Sequence, residues 1–468
     1  MYNSKLIHII DVLTSEEREL LKKWLYSPAH NQREDRLKLI SFLLSKRNLT
    51  PKTTATKAAY VYVYGKGIYE DKKWKKLMNL CIQLLEDFIH FSTQKKNAFS
   101  KQKALISFFQ EHNLNKYTQQ YLKKTRTKQA ADTLSNSQHF QQQYELEELV
   151  FDYQNTTTDS NTTNLQPIFN NHYVAFILNT LHYACEAMTH QRLYNSTYSI
   201  PLLEPILVDI ETGKYDSIPS VQMYYHSFMA LKNSKDEVHF EWLQALMFQH
   251  YDVLTTKEIK SLYLIAINYC VRQLNNGAEK YVQAVFDLYQ YGLEHQILIE
   301  NNILSRFTYK NIVAAAIRLK EYKWVIQFIE IHTPLLESTY QKPYALYAKA
   351  KLHFAQGNFD HTLELLTQVE FDNLFLSMDA KTMLIKIYYE RGHFEALDSL
   401  LTSFNRFLQR KSILAYQRKI HKNMIKLTTK LFNLPLQNKA KIEELRQDII
   451  QTNPLTEKPW LLAQLNKL

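Results

Sequence analysis

The chain has 468 residues, of which 45% are hydrophobic and only seven are glycine. A hydrophobic fraction of this size supports a large buried core and excludes a chain that is disordered throughout. Glycine supplies the left-handed backbone angles and close phosphate contacts of multi-loop α/β enzymes, so its scarcity disfavours that class and also β-sandwiches. We therefore predict an all-α protein of helices joined by short turns.

The formal net charge is +11, and the basic excess lies at the N-terminal end. Residues 1–130 contain 25 basic and 11 acidic residues, whereas residues 131–468 contain 32 and 35. This asymmetry predicts a basic N-terminal helical region, 1–130, followed by a second region, 131–468, and it favours an anionic partner. The alternative is that the charge only keeps the protein in solution.

The cysteines indicate neither a disulfide framework nor a zinc site. There are three, Cys81, Cys185 and Cys270, with no CxxC spacing, and each lies in an apolar run. Such residues are expected to be buried free thiols, as in a reducing compartment. The N-terminus lacks a signal-peptide pattern and no apolar run reaches about 18 residues, so we expect no membrane span and a cytoplasmic location.

Helical patterning begins near the N-terminus. Thr14 and Glu17 form a capping box, and the helix that follows is expected to stop at Ser27-Pro28. Apolar periodicity predicts later helices at residues 36–44, 72–91, 165–191, 219–232, 239–251, 257–275, 278–291 and 298–319.

Three segments interrupt this pattern. Residues 57–67 alternate tyrosine and valine before a glycine turn, as a strand would, but no partner strand follows, so we interpret them as a helix end or turn. The polar stretches 123–138 and 155–164 are expected to be boundaries or exposed connections.

The C-terminal third repeats itself. Gly357-Asn358-Phe359-Asp360 recurs 35 residues later as Gly392-His393-Phe394-Glu395, and weaker copies begin at Tyr322 and Tyr281. Each copy predicts a helical hairpin in which the glycine ends the first helix and the aromatic residue starts the second. One such hairpin cannot cover its own apolar face, so stacking of at least three is expected.

A helix–turn–helix period near 34 residues resembles tetratricopeptide repeats, best over residues 344–404 and weakly over 257–330. That family places a small residue three positions after the aromatic one, where this chain has Thr362 and Leu397. The resemblance implies stacked antiparallel helical hairpins that form a solenoid. It implies no catalytic residue.

Further motifs are spread along the chain: Ser27-Pro28 with Asn31, Leu262-Tyr263-Leu264, Asn268-Tyr269-Cys270, Lys310-Asn311-Ile312-Val313, Val369-Glu370-Phe371, Tyr388-Tyr389-Glu390 and Ser403-Phe404. On these residues the chain resembles an uncharacterised family of bacterial helical-repeat proteins. That resemblance implies the same helical fold and no activity.

Motifs for catalysis are not found. His182, Glu186 and His190 share a helix face and suggest a metal hydrolase, but they span about 12 Å, which is too far for one ion. GxSxG, P-loop and dinucleotide-binding motifs do not occur, so we expect no enzyme and no cofactor.

Two basic patches are candidate anion-binding or nucleic-acid-binding surfaces. Ten basic residues and no acidic one lie between Asp398 and Glu443. The candidate residues there are Arg410, Lys411, Arg418, Lys419, Lys422, Lys426 and Lys430, and the last four recur at helical spacing. The second patch consists of Lys72, Lys73, Lys75 and Lys76, with Trp74 expected to point inward.

An ordinary solvated face on a polar capping helix is the alternative for the C-terminal patch. We therefore predict a non-catalytic scaffold or adaptor that binds a protein or peptide through a helical-repeat surface. A nucleic-acid-binding protein that uses residues 1–130 and 406–430 remains the second hypothesis.

Overall fold

A computed structural model describes residues 1–157, 163–194, 196–233, 235–275, 277–368, 373–410, 415–434 and 439–468. Helices account for 77% of the structure and number 23 among these residues, so the all-α prediction is confirmed. The chain divides into two compact units, Met1–Phe176 and Ile177–Leu468. Each is described by itself.

The first unit contains eight helices before α9 (Leu165–Tyr194), whose range includes the boundary. They are α1 (Lys5–Val12), α2 (Ser15–Tyr26), α3 (Glu34–Leu44), α4 (Thr56–Tyr64), α5 (Asp71–Lys96), α6 (Ala98–Glu111), α7 (Asn115–Ala130) and α8 (Ser137–Thr157). One core lies among α1 to α5, and its centre includes Leu6, Leu21 and Leu85, all without solvent exposure.

The capping box at the start of α2 is confirmed. The Thr14 hydroxyl accepts from the Glu17 amide at 3.2 Å, and the Glu17 carboxylate accepts from the Thr14 amide at 3.1 Å. The tyrosine- and valine-rich segment is helical up to Tyr64, because Tyr60 and Val63 lie one turn apart on the buried side. Gly65 ends this helix with φ +80°.

Helices α6, α7 and α8 surround a second, smaller core built from Ile106, Leu122 and Leu146. The polar stretch 123–138 is predicted to be a boundary, but α7 continues through its first part to Ala130, with Leu122 and Thr125 buried. Residue 130, where the charge composition changes, is the last residue of α7, and α7 and α8 contribute to the same core. The second polar stretch falls partly on residues 158–162, which are outside the described residues.

The second unit contains the remaining helices and two 3₁₀ turns, Tyr251–Val253 and Thr333–Leu335. The helices are α10 (Leu203–Glu211), α11 (Pro219–Lys232), α12 (Val238–Gln249), α13 (Thr256–Asn275), α14 (Tyr281–Glu294), α15 (Arg306–Arg318), α16 (Tyr322–His332), α17 (Ser338–Ala355), α18 (Phe359–Thr367), α19 (Leu374–Glu390), α20 (Phe394–Arg410), α21 (Ala415–Phe432), α22 (Lys439–Gln451) and α23 (Lys458–Leu465).

The prediction of one helix over residues 298–319 is wrong at its start. Strands β1 (Ile299–Glu300) and β2 (Ile303–Leu304) pair in antiparallel fashion before α15 begins. Asn301 and Asn302, between them, have φ of 51° and 61°. Two consecutive residues with positive φ make the tight turn of a β-hairpin, and asparagine tolerates that conformation.

The two best copies of the repeat form helix pairs, as predicted. Helix α17 packs on α18, and α19 packs on α20. Gly357 and Gly392 follow the first helix of each pair with φ of +78° and +70°, and an aromatic residue starts each second helix. At the positions where the tetratricopeptide family has a small residue, Thr362 and Leu397 are both fully buried.

Candidate functional site

The basic patch at the start of α5 is exposed. Trp74 retains 4% of its accessible surface, whereas its neighbours are exposed lysines: Lys72, Lys73, Lys75 and Lys76. Lys75 pairs with Asp71 at 2.8 Å, and the Lys73 ammonium lies 4.3 Å from the centre of the Tyr64 ring. Two of the four charges are therefore already engaged within the helix and its neighbour.

The basic face of α21 consists of Lys419, Lys422, Lys426 and Lys430, all exposed. Lys430 forms an ion pair with Asp448 of α22. Among the described residues no carboxylate lies within 4.0 Å of the other three lysines. Arg410 is exposed at the end of α20 and Arg418 is half-buried on α21, whereas Lys411 lies outside the described residues.

The histidine and glutamate side chains of α9 each have a separate partner. His182 lies 3.2 Å from the Tyr224 hydroxyl, and Glu186 accepts from Ser261 at 3.0 Å. His190 lies 2.9 Å from the Tyr198 hydroxyl. In the part of the chain that is described, no cluster of three or more His, Cys, Asp or Glu side chains is arranged to hold a metal ion.

The cysteines are buried free thiols, as predicted. Burial raises the pKa of the Cys81 thiol to about 12. It also raises the pKa values of Cys185 and Cys270. Thiols in this state are protonated at neutral pH and are poor nucleophiles.

The first unit has a wide depression of about 770 Å³ beside the ends of α5 and α7. Its lining is rich in amide side chains, including Gln102, Gln129 and Gln142. Lys96, Lys128 and Asp132 also line it, and Lys96 is paired with Glu17 at 3.3 Å. The other two charges have opposite signs, so the depression has a hydrogen-bonding character rather than a concentration of one charge.

A smaller cavity in the second unit collects charged side chains, and we call it the recess. It has a volume of about 160 Å³ and lies among α17, α19, α21 and the start of α23. The titratable side chains of its lining are Tyr347, Lys351, Asp379, Lys386, His421 and Glu457. Lys310 of α15 reaches Asp379 from outside this lining.

Two ion pairs form part of the recess. The Lys310 ammonium lies 2.5 Å from the Asp379 carboxylate, and the Lys386 ammonium lies 2.8 Å from the Glu457 carboxylate. The lysine side chains are only 20% and 15% exposed, so water screens these charges weakly. Each of the two carboxylates is therefore already matched by one lysine.

Lys351 is the third lysine of the recess and has no such partner. No carboxylate of the described residues lies within 4.0 Å of its ammonium group, and its hydrogen bond to the Tyr347 hydroxyl is long, 3.4 Å. The Tyr347 hydroxyl in turn donates to Asp379 at 2.9 Å. With all side chains in their usual ionised forms, three ammonium groups therefore face two carboxylates.

The pKa shifts follow this arrangement. Burial lowers the pKa of Lys351, and the charges of Lys310 and Lys386 lower it further against the opposing effect of Asp379. Burial raises the pKa of Asp379, but the charges of Lys310 and Lys351 outweigh that effect, so the pKa is lowered overall. Burial and the nearby Asp379 charge raise the pKa of Tyr347 well above its usual range.

The remaining titratable side chain of the lining is His421, which retains 5% of its surface. Its Nδ1 lies 2.8 Å from the Gln417 carbonyl, so Nδ1 carries a proton and donates it there. An anion in the recess would accept hydrogen bonds from the Lys351 ammonium group, which has N–H donors that bind no carboxylate of the described residues. The arrangement suits reversible binding of a small acidic group.

The sequence motifs do not identify this recess, because its charged residues come from three helices and from Glu457 before α23, and they span residues 310–457. One signal is present. Lys351 occurs four residues after Tyr347 and three after Ala348, on the same side of α17 as these fully buried residues. A lysine within the apolar stripe of a helix predicts an ammonium group that is at least partly enclosed by the fold.

No protein family, curated protein or solved structure matches the chain. None of the described helices is sufficiently long and apolar to cross a membrane. The functional argument therefore depends on the geometry of the recess and of the basic face.

Proposed function

We propose that the protein is a non-catalytic adaptor that binds a protein or peptide partner by taking an acidic side chain or chain terminus into the recess. The observation that carries this proposal is the unpaired Lys351 ammonium beside two lysines whose charges are already matched. A carboxylate that entered the recess would supply the missing negative charge. It would also accept hydrogen bonds from a group whose present contact is long.

The proposal includes a stack of helical hairpins that displays the recess on one side, as in tetratricopeptide repeats. Three features support it: pairing within α15–α16, α17–α18 and α19–α20, contact of α15 with α17, and contact of α17 with α19. Equivalent helices of neighbouring hairpins touch in this way in a repeat array. The charged residues Lys310, Lys351 and Asp379 come from the first helix of three consecutive pairs.

The size of the recess limits what enters it. A volume of about 160 Å³ is roughly that of five liquid waters at about 30 Å³ each. One carboxylate and its adjoining methylene groups fit, whereas a nucleotide does not. The rest of a peptide would lie outside, along the exposed surface of the helices.

Selection from a random peptide library displayed on phage tests this function. Peptides are selected on the full wild-type chain alone, and their binding to Lys351→Met is then measured, with Lys419→Met as a control that removes an exposed, unpaired lysine. We expect the recovered peptides to share an acidic residue. Loss of a hydrogen bond to a charged group is worth about 1.5–3 kcal/mol, so Lys351→Met should bind them at least about tenfold more weakly. Peptides that bind Lys351→Met and wild type equally would contradict the proposal.

A second candidate function, binding of a nucleic-acid backbone, is favoured by one observation. Three exposed lysines of α21, Lys419, Lys422 and Lys426, have no carboxylate of the described residues within ion-pair distance. Phosphate binding by these lysines would release counterions, so the affinity should fall steeply with added salt.

A gel-shift titration with duplex DNA and single-stranded RNA tests this candidate. Lys419→Gln, Lys422→Gln and Lys426→Gln, combined in one chain, should remove the shift. Lys430→Gln is the matched control, because Lys430 is already paired with Asp448 and should contribute little. An equal shift for the triple variant and wild type excludes the basic face as a nucleic-acid site.

A further inference from the structure

The Lys351 side chain differs from the other two lysines near the recess in a way that matters for covalent chemistry. Lys310 and Lys386 are held in ion pairs, whereas Lys351 faces the cavity with only the Tyr347 hydroxyl at 3.4 Å. In an ion pair, the carboxylate occupies the space in front of the ammonium group. The unpaired group loses its proton more easily, because it is partly buried and faces two positive charges.

We propose that Lys351 is a regulatory acylation site whose amine takes an acyl group from a small anionic acyl donor, with an acyl phosphate as the simplest case. The amine nitrogen attacks the carbonyl carbon, so a C–N bond forms and the C–O bond to phosphate breaks. The amine proton leaves with the phosphate, as hydrogen phosphate. No oxidant, reductant or further reactant is needed.

The surroundings of Lys351 fit such a donor in size and charge. The cavity of about 160 Å³ has room for a two-carbon acyl group beside the amine. While Lys351 is protonated, the recess carries one positive charge that no carboxylate matches, and this charge attracts the anionic donor. The charges of Lys310 and Lys386 lower the pKa of Lys351, so they favour the reactive form of the amine once the donor is bound.

Acylation would change the charge balance of the recess. An amide at Lys351 is neutral, which leaves Lys310 paired with Asp379 and Lys386 paired with Glu457. No positive charge then remains to attract an acidic group, so the modification would switch binding off. This consequence rests on the proposed function, whereas the acylation itself does not.

The groups that face Lys351 come from every helix packed around it. They are Lys310 of α15, Tyr347 of α17, Asp379 and Lys386 of α19, His421 of α21 and Glu457 before α23. The carboxylates raise the pKa of Lys351, and burial and the two ammonium groups lower it. The overall direction is downward.

The experiment is incubation of the full chain with acetyl phosphate, followed by mass-spectrometric measurement of acetylation at individual lysines. Lys419 and Lys422, exposed and unpaired, are the comparison sites, and the same reaction in urea corrects for local sequence effects. A lowered pKa leaves more neutral amine at a given pH, and the weaker basicity offsets only part of this. We therefore expect acetylation of Lys351 to be faster in the folded chain than in urea, and faster than acetylation of Lys419 and Lys422.

The pH profile provides a second readout. The rate at Lys351 should level off at a lower pH than the rate at Lys419, and Lys386→Gln should slow it, since that change removes one of the two charges. Lys430→Gln is the control and should have no effect. A Lys351 rate no higher than that of Lys419, or two pH profiles of the same shape, overturns the proposal. Because no peptide is present, this experiment and the peptide selection succeed or fail separately.

Discussion

Replacement of Lys351 by methionine should make the protein more stable while it removes the proposed binding function. Methionine keeps the length of the side chain without its charge. Both lost contacts are with Tyr347, and both are long: a 3.4 Å hydrogen bond, beyond the usual 2.7–3.2 Å range, and a distance of 5.7 Å from the ammonium to the ring centre, near the limit of about 6 Å for a cation–π contact. The folded state is stabilised because the substitution removes a partly buried ammonium group that faces Lys310 and Lys386.

The size of this effect follows from proton linkage. Each unit by which folding lowers the pKa of a lysine costs about 1.4 kcal/mol at neutral pH, because the unfolded chain binds the proton more tightly. The pKa of Lys351 is lowered, so this penalty acts on the wild type. We therefore expect Lys351→Met to raise the free energy of unfolding at about pH 7, within the range of about 0.5–2 kcal/mol that is typical of single stabilising substitutions.

The sign of the pH dependence is fixed by the same linkage. When folding lowers the pKa of a lysine, the loss of folding stability is complete at pH values below the folded-state pKa. The loss disappears at pH values above the unfolded-state pKa, near about 10.4. The advantage of Lys351→Met should therefore shrink as the pH rises from about 7 to about 10.

Urea denaturation followed by circular dichroism measures both effects, with Lys419→Met as a control expected to stay within about 0.5 kcal/mol of wild type. A less stable Lys351→Met chain at neutral pH, or an advantage that does not change with pH, would refute the reasoning.

Three further predictions concern the fold. Gly357→Ala should destabilise the chain by about 1 kcal/mol in urea denaturation, because alanine is strained at φ +78° although a Cβ there meets no atom within 4 Å. Gly292→Ala should cost about 1–3 kcal/mol, since its Cβ would lie 2.9 Å from buried Leu298; a neutral result would show that Leu298 can move aside. Thr14→Ala should cost about 1 kcal/mol by loss of the helix cap, and Thr14→Ser should restore most of it.

The helices were predictable because each carries local signals that act within a few residues. The capping box at Thr14 and the glycine turns at Gly357 and Gly392 are examples, and all three appear in the structure where the sequence places them. The hairpin around Asn301 and Asn302 was missed because only two residues of each strand pair, too few to show an alternating pattern. A pair of asparagines between β-branched residues was the available signal.

The recess was not predictable, since its charge balance depends on which lysine reaches which carboxylate across separate helices. Sequence spacing identifies the basic face of α21, where four lysines share one helix side, but it does not show that Lys430 is paired with Asp448. In the same way, the sequence does not show that Lys310 is paired and Lys351 is not. Pairing of distant residues is a property of the packed helices.

The central claim is that the unpaired ammonium of Lys351 binds an acidic group. Its most direct test is a calorimetric titration of one selected acidic peptide into wild type and Lys351→Met, together with the same peptide whose acidic residue is replaced by its amide. The account predicts that Lys351→Met in the protein, or the amide replacement in the peptide, weakens binding at least about tenfold. The two changes together should weaken binding little further than one of them alone. Equal affinity of the acidic peptide for the two proteins would contradict it.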